Sequence, residues 1–174
     1  MNIVGNKIIL RAIERNDLPF LRELMNDSEN EKYVVGWSLP VSEKEQDEWF
    51  LGFKNGKDAI RFSIEFEGNF VGTCILSNID WKNRNLGINI KLLNNYKGRG
   101  LGKETIKTAI KYIFEELNMN RIEANILEYN EASITLFEGC GFKQEGRRRQ
   151  KVFKNNKYND ILEYSILKEE YENK

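Results

Sequence analysis

Not one of the 174 residues is a histidine. That absence removes Ser-His-Asp catalysis, imidazole acid-base chemistry and histidine zinc sites together, so proton transfer has to use other groups. Only two cysteines occur, Cys74 and Cys140, far apart and with no CxxC partner. Reduced, buried thiols are the expected reading, and a covalent thiol intermediate has little support. Net charge is missing too: 27 basic side chains are matched by 27 acidic ones. No general attraction to nucleic acid or to an anionic membrane is therefore expected, and any anion site must be local. No stretch approaches the roughly 18 apolar residues of a membrane span. The opening MNIVGNKIILRAIERND lacks a basic segment followed by an apolar run, and the chain is expected in the cytoplasm. Without repeats, low-complexity tracts or linkers, its length suits one domain with one core.

The elements read as strands alternating with helices. Ile8, Ile9 and Leu10 suggest a first strand, after which Asn16-Asp17 can cap a helix carrying Leu18, Leu21, Leu24 and Met25, with Pro19 in its first turn. Ser42-Glu43-Lys44-Glu45 matches a capping box that opens a helix to about Phe53. Strands are expected at 60–66 and 70–79 around a Glu67-Gly68-Asn69 turn, and again from Leu86 to Leu93, where Leu86, Ile88, Ile90 and Leu92 alternate with Gly87, Asn89 and Lys91. Ile106, Ala109, Ile110, Ile113, Phe114 and Leu117 recur at helical spacing, predicting a helix from about Leu101 to Leu117. A strand at 121–127, a helix at 131–139 and two strands at about 142–153 and 157–167, joined by Lys154-Asn155-Asn156, complete an α/β (α+β) pattern.

Between the alternating strand and the long helix lies KGRGLGKE, residues 97–104. A glycine loop that opens a helix presents unpaired amides and the positive end of the helix dipole, and it lets the backbone approach an anion closely. Phosphate or pyrophosphate is the expected guest. A P-loop fails, because the residue five before Gly102 is Lys97 and Lys103 is followed by Glu104 where a Ser or Thr is needed. The dinucleotide fingerprint fails as well, since after Gly98 and Gly100 the third glycine falls at 102 and not 103. A plain tight turn with solvated charges is the remaining alternative.

Lys97-x-x-Gly100-x-Gly102 after an alternating strand resembles the acetyl-CoA loop of the GNAT superfamily of N-acetyltransferases. NEASITLFEGCGF, residues 130–142, resembles the family's later Asn-x-x-(Ala/Ser)-x-x-Leu-Tyr-Glu-x-x-Gly-Phe block. Glu145-Gly146 and the closing KVFKNNKYNDILEYSIL are similar to the RimJ/RimL-like branch, which includes bacterial spermidine acetyltransferases. The likeness runs from Lys7 to about Leu167 and is weakest between residues 28 and 60. It implies one N-acetyltransferase domain over residues 1–174, with a mixed, mostly antiparallel sheet of about seven strands flanked by about four helices.

The resemblance also implies roles. Acetyl-CoA would be held by Lys97, Gly98, Arg99, Gly100, Leu101, Gly102 and Lys103, by the strand end at Leu92 and Leu93, and by Asn130, Ser133 and Phe137. The Leu92 amide would stabilise the oxyanion, and Ser133 the departing sulfur. Two departures stand out. Where many relatives carry a tyrosine that protonates the thiolate, this chain has Phe137; where many carry a glutamate base, it has Gly87. Tyr129, Glu128 or Glu131 could offer a proton route instead. Trp37, Trp49, Asp80 and Trp81 are expected to surround the acceptor ammonium, with packing as their alternative role. No metal, nucleic acid or membrane is expected. The acceptor is a protein N-terminal α-amine or a small polyamine, with aminoglycosides and amino sugars open, and a homodimer is one expected state. A non-catalytic acyl-CoA-binding module and a nucleotide switch are the competing readings.

Overall fold

A computed structural model describes all residues except Trp37, Ser38, Lys57 and Lys174. The chain runs β1 (Ile3–Val4), β2 (Ile8–Arg11), α1 (Leu18–Asn26), α2 (Ser28–Glu31), α3 (Glu43–Gly52), β3 (Ala59–Phe66), β4 (Asn69–Asp80) and β5 (Asn85–Leu92). It continues with α4 (Leu101–Glu115), β6 (Arg121–Leu127), α5 (Glu131–Glu138), β7 (Lys143–Lys154), β8 (Lys157–Leu167) and α6 (Lys168–Glu172). The strands form one sheet in the order β1-β2-β3-β4-β5-β6-β8-β7, antiparallel at every step except β5 to β6. The architecture is the expected mixed α/β one, with eight strands and six α-helices among the described residues.

The extra elements are those too short to show a period. β1 has two residues, and α2 is a single turn capped by Asp27, whose side chain accepts from the Glu29 amide at 2.8 Å. At α6 it is Glu170 that accepts from the Leu167 amide at 2.9 Å. The hairpin turns form where the sequence placed them, with Glu67 and Gly68, and then Asn155 and Asn156, all at positive φ, as tight two-residue turns require. The Ser42 capping box forms in full. Asp17 departs from its expected role. Its carboxylate makes no cap bond to α1 but accepts from the Arg11 guanidinium, the Glu14 amide and the Ser63 hydroxyl, and its side chain is only 4% exposed.

Two apolar layers sandwich the sheet. On one face α4 buries Ile106, Ile110, Ile113 and Phe114 against strand residues such as Leu76, Leu86 and Ile88. On the other, α1 packs Leu18, Leu21 and Leu24 on Phe70 and Leu93, with Trp49 of α3 and Phe53, just past its end, alongside. Burying each such side chain contributes about 1.5–3 kcal/mol, so both helical layers are held chiefly by apolar area. No described helix is long and apolar enough to cross a membrane.

One irregularity shapes the whole molecule. β4 and β5 stay paired from Asp80↔Asn85 to Gly72↔Leu92, and β6 pairs with β8 from Arg121 to Leu127. Yet β5 and β6 pair only at Asn85↔Arg121, Leu86↔Ile122 and Gly87↔Glu123. Beyond Gly87 the sheet splits, leaving a wedge between the remainder of β5 and the remainder of β6.

Candidate active site

The wedge has a polar wall of its own. The Leu93 amide donates to the Val71 carbonyl at 2.9 Å. Because bonding alternates along an antiparallel ladder, the amides of Leu92 and Ile90 turn away from β4 and into the split, while that of Ile88 is taken up by the last β5–β6 pairing at Gly87↔Glu123. The Leu92 carbonyl faces the same side, where Asn30 Nδ2 lies 3.5 Å away. An unpaired strand edge of this kind can bind an extended chain carrying amides, as sheet edges bind peptides.

At the mouth of the wedge is the glycine loop. Gly98 and Gly100 have φ of 72° and 78°, a conformation that side chains with a Cβ disfavour by about 1–2 kcal/mol, and nothing crowds either Cα. Gly100 caps the 15-residue α4, whose Glu104 amide bonds to the Gly100 carbonyl at 3.1 Å. Among the described residues none supplies an acceptor to the amides from Gly98 through Lys103. Six donors at the N-terminus of a long helix make a local anion site in a chain of zero net charge. Gly102 sits deeper: a Cβ there would touch Ile90 and Leu136 at 3.5 Å, which joins the loop to the wedge.

The loop's basic side chains behave differently from its backbone. Lys97 Nζ donates to Asn30 Oδ1 at 2.5 Å and Asn94 Oδ1 at 2.6 Å, tying the loop to α2. The Arg99 guanidinium lies over the rings of Phe66 and Tyr96, 5.2 and 5.4 Å from their centroids. Both are engaged with the protein itself, whereas Lys103 is exposed on the first turn of α4. Leu101 is buried beneath the loop.

Across the wedge stands α5. Asn130 caps it, accepting from the Ser133 amide at 3.1 Å, while its Nδ2 approaches the Tyr33 carbonyl at 3.5 Å. Asn130, Ser133 and Phe137 share one face of α5 and line the central cavity. The Phe137 ring packs edge-on against Phe142 at 4.9 Å. The other proton-route candidates are committed elsewhere. Tyr129 donates its hydroxyl to the Lys32 carbonyl at 2.6 Å, and Glu128 accepts from the Asp160 amide and from Arg147. Glu131 is exposed at the start of α5 and is absent from the cavity wall. Burial pushes the Cys74 thiol up to about 12, so it holds no thiolate for a covalent route.

The cavity, of about 500 Å³, passes from α5 through the split to the face covered by α1 and α3. Trp49 lines it, as do Tyr33, Gln46, Arg61, Thr73 and Lys91. Asp80 and Trp81 do not. Asp80 holds the β4–β5 turn, accepting from the Asn83 amide and side chain at 2.8 and 2.7 Å. Trp81 borders a separate surface hollow with Asn55, Gly56 and Ile60. The pairing Asp80↔Asn85 puts this turn five strand residues, about 17 Å, from Ile90. An aromatic beside an acid at a hairpin tip mimics a binding pair in sequence. Trp37 lies outside the described residues.

Sequence reasoning missed Lys91, Arg61 and Asn30. Lys91 read only as the polar side of an alternating strand and Arg61 as an undistinguished residue of the strand at 60–66, and it is the packing beside α1 and α3 that puts both on the cavity wall. Asn30 left no signal: it is buried and joins Asp27, Leu92 and Lys97 across three separate segments.

Comparison with known proteins agrees with this geometry. Residues 7–143 match the family profile described as an acetyltransferase (GNAT) domain. The SPbeta prophage-derived uncharacterized N-acetyltransferase YokL of Bacillus subtilis is 30% identical, over 97% of this chain and 94% of its own. YdaF of the same organism, whose name assigns it provisionally to ribosomal N-acetylation, is 28% identical over 97% and 96%. The crystal structure of spermidine N-acetyltransferase from Vibrio cholerae, in complex with CoA and spermine, superposes with a TM-score of 0.89 at 28% identity, covering 96% of this chain and 99% of that one.

Proposed function

The chain belongs to the GNAT acetyltransferase family and is an acetyl-CoA-dependent N-acetyltransferase, and from that premise we propose that its acceptor is an α-amine such as a protein N-terminus. Acetyl-CoA would seat its pyrophosphate on the amides of residues 98–103 and run its pantetheine arm along the open edge of β5. That brings the thioester to Leu92 and Ser133. The Leu92 amide would then donate to the carbonyl oxygen as the amine attacks, and the negative charge of the tetrahedral intermediate would develop on that oxygen. Collapse of the intermediate breaks the C–S bond, and the thiolate leaves beside Ser133, whose hydroxyl can donate to it.

The observation that carries the choice of acceptor is the charge of the cavity wall. Among its described lining residues there is no carboxylate to act as general base, while Arg61 and Lys91 are basic side chains. An amine must be neutral to attack. Starting from a pKa near 10.4 this costs about 4–5 kcal/mol at pH 7, but from an α-amine near 8 only about 1 kcal/mol. A site without a base therefore suits the α-amine. The sulfur side follows the same logic, since a thiol with a pKa of about 8.5 leaves as thiolate without the acid that Phe137 lacks.

A polyamine is the second reading, favoured by the likeness to spermidine N-acetyltransferase. CoA thiol release with N-terminal peptides and with spermidine, each at saturating acetyl-CoA, separates the two. Peptides are expected to give the higher kcat/KM near neutral pH, and turnover of spermidine alone would reject the α-amine.

A further inference from the structure

We propose that the acceptor carries an anionic group, a carboxylate, near its reactive amine, and that Lys91 recognises it with Arg61 in support. This rests on the α-amine reading and narrows it. Lys91 follows the alternation of β5, so its side chain rises on the face covered by α1, opposite Thr73. There it lines the central cavity and its Nζ donates to Met25 Sδ at 3.9 Å, and among the described residues no carboxylate lies within ion-pairing distance of it. Arg61, on β3, lines the same cavity with its guanidinium 5.6 Å from the centroid of the Phe53 ring, and it too forms no ion pair among the described residues.

These cations contrast with their neighbours. Arg11, Arg15, Arg22 and Lys154, around the same face, are each matched to a carboxylate. The carboxylate that acts on Lys91, Glu31, is already paired with Lys154 at 2.9 Å, and an enclosed ammonium with no carboxylate of its own is costly. Burial pushes the pKa of Lys91 down; Glu31 offsets this in part and Lys154 adds to it. An arriving carboxylate would reverse the trend. The segment YVVGWSLPV, residues 33–41, contributes residues to this cavity and contains no acidic side chain.

Geometry also limits where the anion sits. Lys91 precedes Leu92, the residue whose amide faces the thioester position, so the carboxylate must lie within one or two residues of the amine, about 3.5–7 Å of chain. An acidic residue at the N-terminus of a peptide and a free amino acid both meet that requirement. A polyamine meets the opposite field.

The test compares kcat/KM for peptide amides beginning with Glu or with its uncharged isostere Gln, for free glutamate and for spermidine. At least a tenfold preference for Glu over Gln peptides is expected. Peptide above free glutamate identifies a protein source and the reverse a small-molecule source, and either order supports the anionic acceptor. In Lys91→Met the Glu/Gln ratio should fall toward one, in Arg61→Gln it should fall less, and Lys91→Arg should keep it. That last variant also separates charge recognition from base catalysis, because a guanidinium cannot take up the amine's proton. Equal wild-type turnover of Glu and Gln peptides, or a ratio unmoved in Lys91→Met, overturns the proposal while leaving the α-amine reading intact. Thiol release with spermidine and none with any α-amine overturns both.

Discussion

The donor and acceptor sides of the central cavity are built from different materials. The proposed donor side consists of main-chain amides, six from Gly98 to Lys103 and two along β5, placed by two positive-φ glycines and by the splitting of the sheet. The proposed acceptor side consists of side chains projected from α1 and α3 and from β3, β4 and β5, with two cations and no carboxylate on its described wall. Backbone geometry is fixed by local sequence and tolerates change at most positions. Side-chain chemistry can be rewritten residue by residue, which suits a fold that keeps one donor and varies its acceptor.

That contrast can be broken from the acceptor side first. Asp17 pins the entry to α1 through Arg11, Glu14 and Ser63. Asp17→Asn should lower global stability by about 2 kcal/mol, since one buried carboxamide cannot accept from Arg11, the Glu14 amide and Ser63 together, although Arg11 keeps its pair with Glu65. A denaturant titration checks this, and it should show acetyl-CoA affinity retained in the variant that is still folded. On the donor side, Gly100→Val forces a β-branched residue into a φ of 78° and should weaken acetyl-CoA binding by about tenfold or more, measured calorimetrically. Phe137→Tyr would place a phenol on the cavity wall where a thiolate departs, and a rise in kcat of up to about tenfold is expected. An unchanged kcat would mean the leaving sulfur needs no acid. The smallest effect belongs to a pair outside both sides. Arg121 holds the Glu145 carboxyl down to about 2 from an ordinary 4.5. A lowered folded-state value means that its contribution is complete above pH 4.5 and lost as the pH falls toward 2. Glu145→Gln should flatten acid unfolding slightly over that window, with turnover at neutral pH unaffected.

How much could be read beforehand follows the same division. Strand alternation from Leu86, the helical spacing from Ile106 and the loop glycines are short-range patterns, and each formed where expected. The opposed face of α5 was legible through the resemblance of residues 130–142 to the family block, and Asn130, Ser133 and Phe137 do line one wall of the cavity. The wedge was not. Three paired residues followed by divergence is a relation between distant strands, and neither strand alone records it. Lys91 escaped for the same reason, since an alternating lysine reads only as the polar side of a strand until α1 closes over it. Asp80 and Trp81 misled because turn chemistry uses the same residue types as recognition.

The split beside β5 also gives one strand two different solvent lives. Every second peptide group, at Gly87, Asn89 and Lys91, is locked to β4, while the amides of Ile90 and Leu92 meet water across the gap. Deuterium uptake along this strand should therefore alternate between slow and fast, residue by residue. Adding the thioester cosubstrate should silence the fast set and leave the slow set as it was.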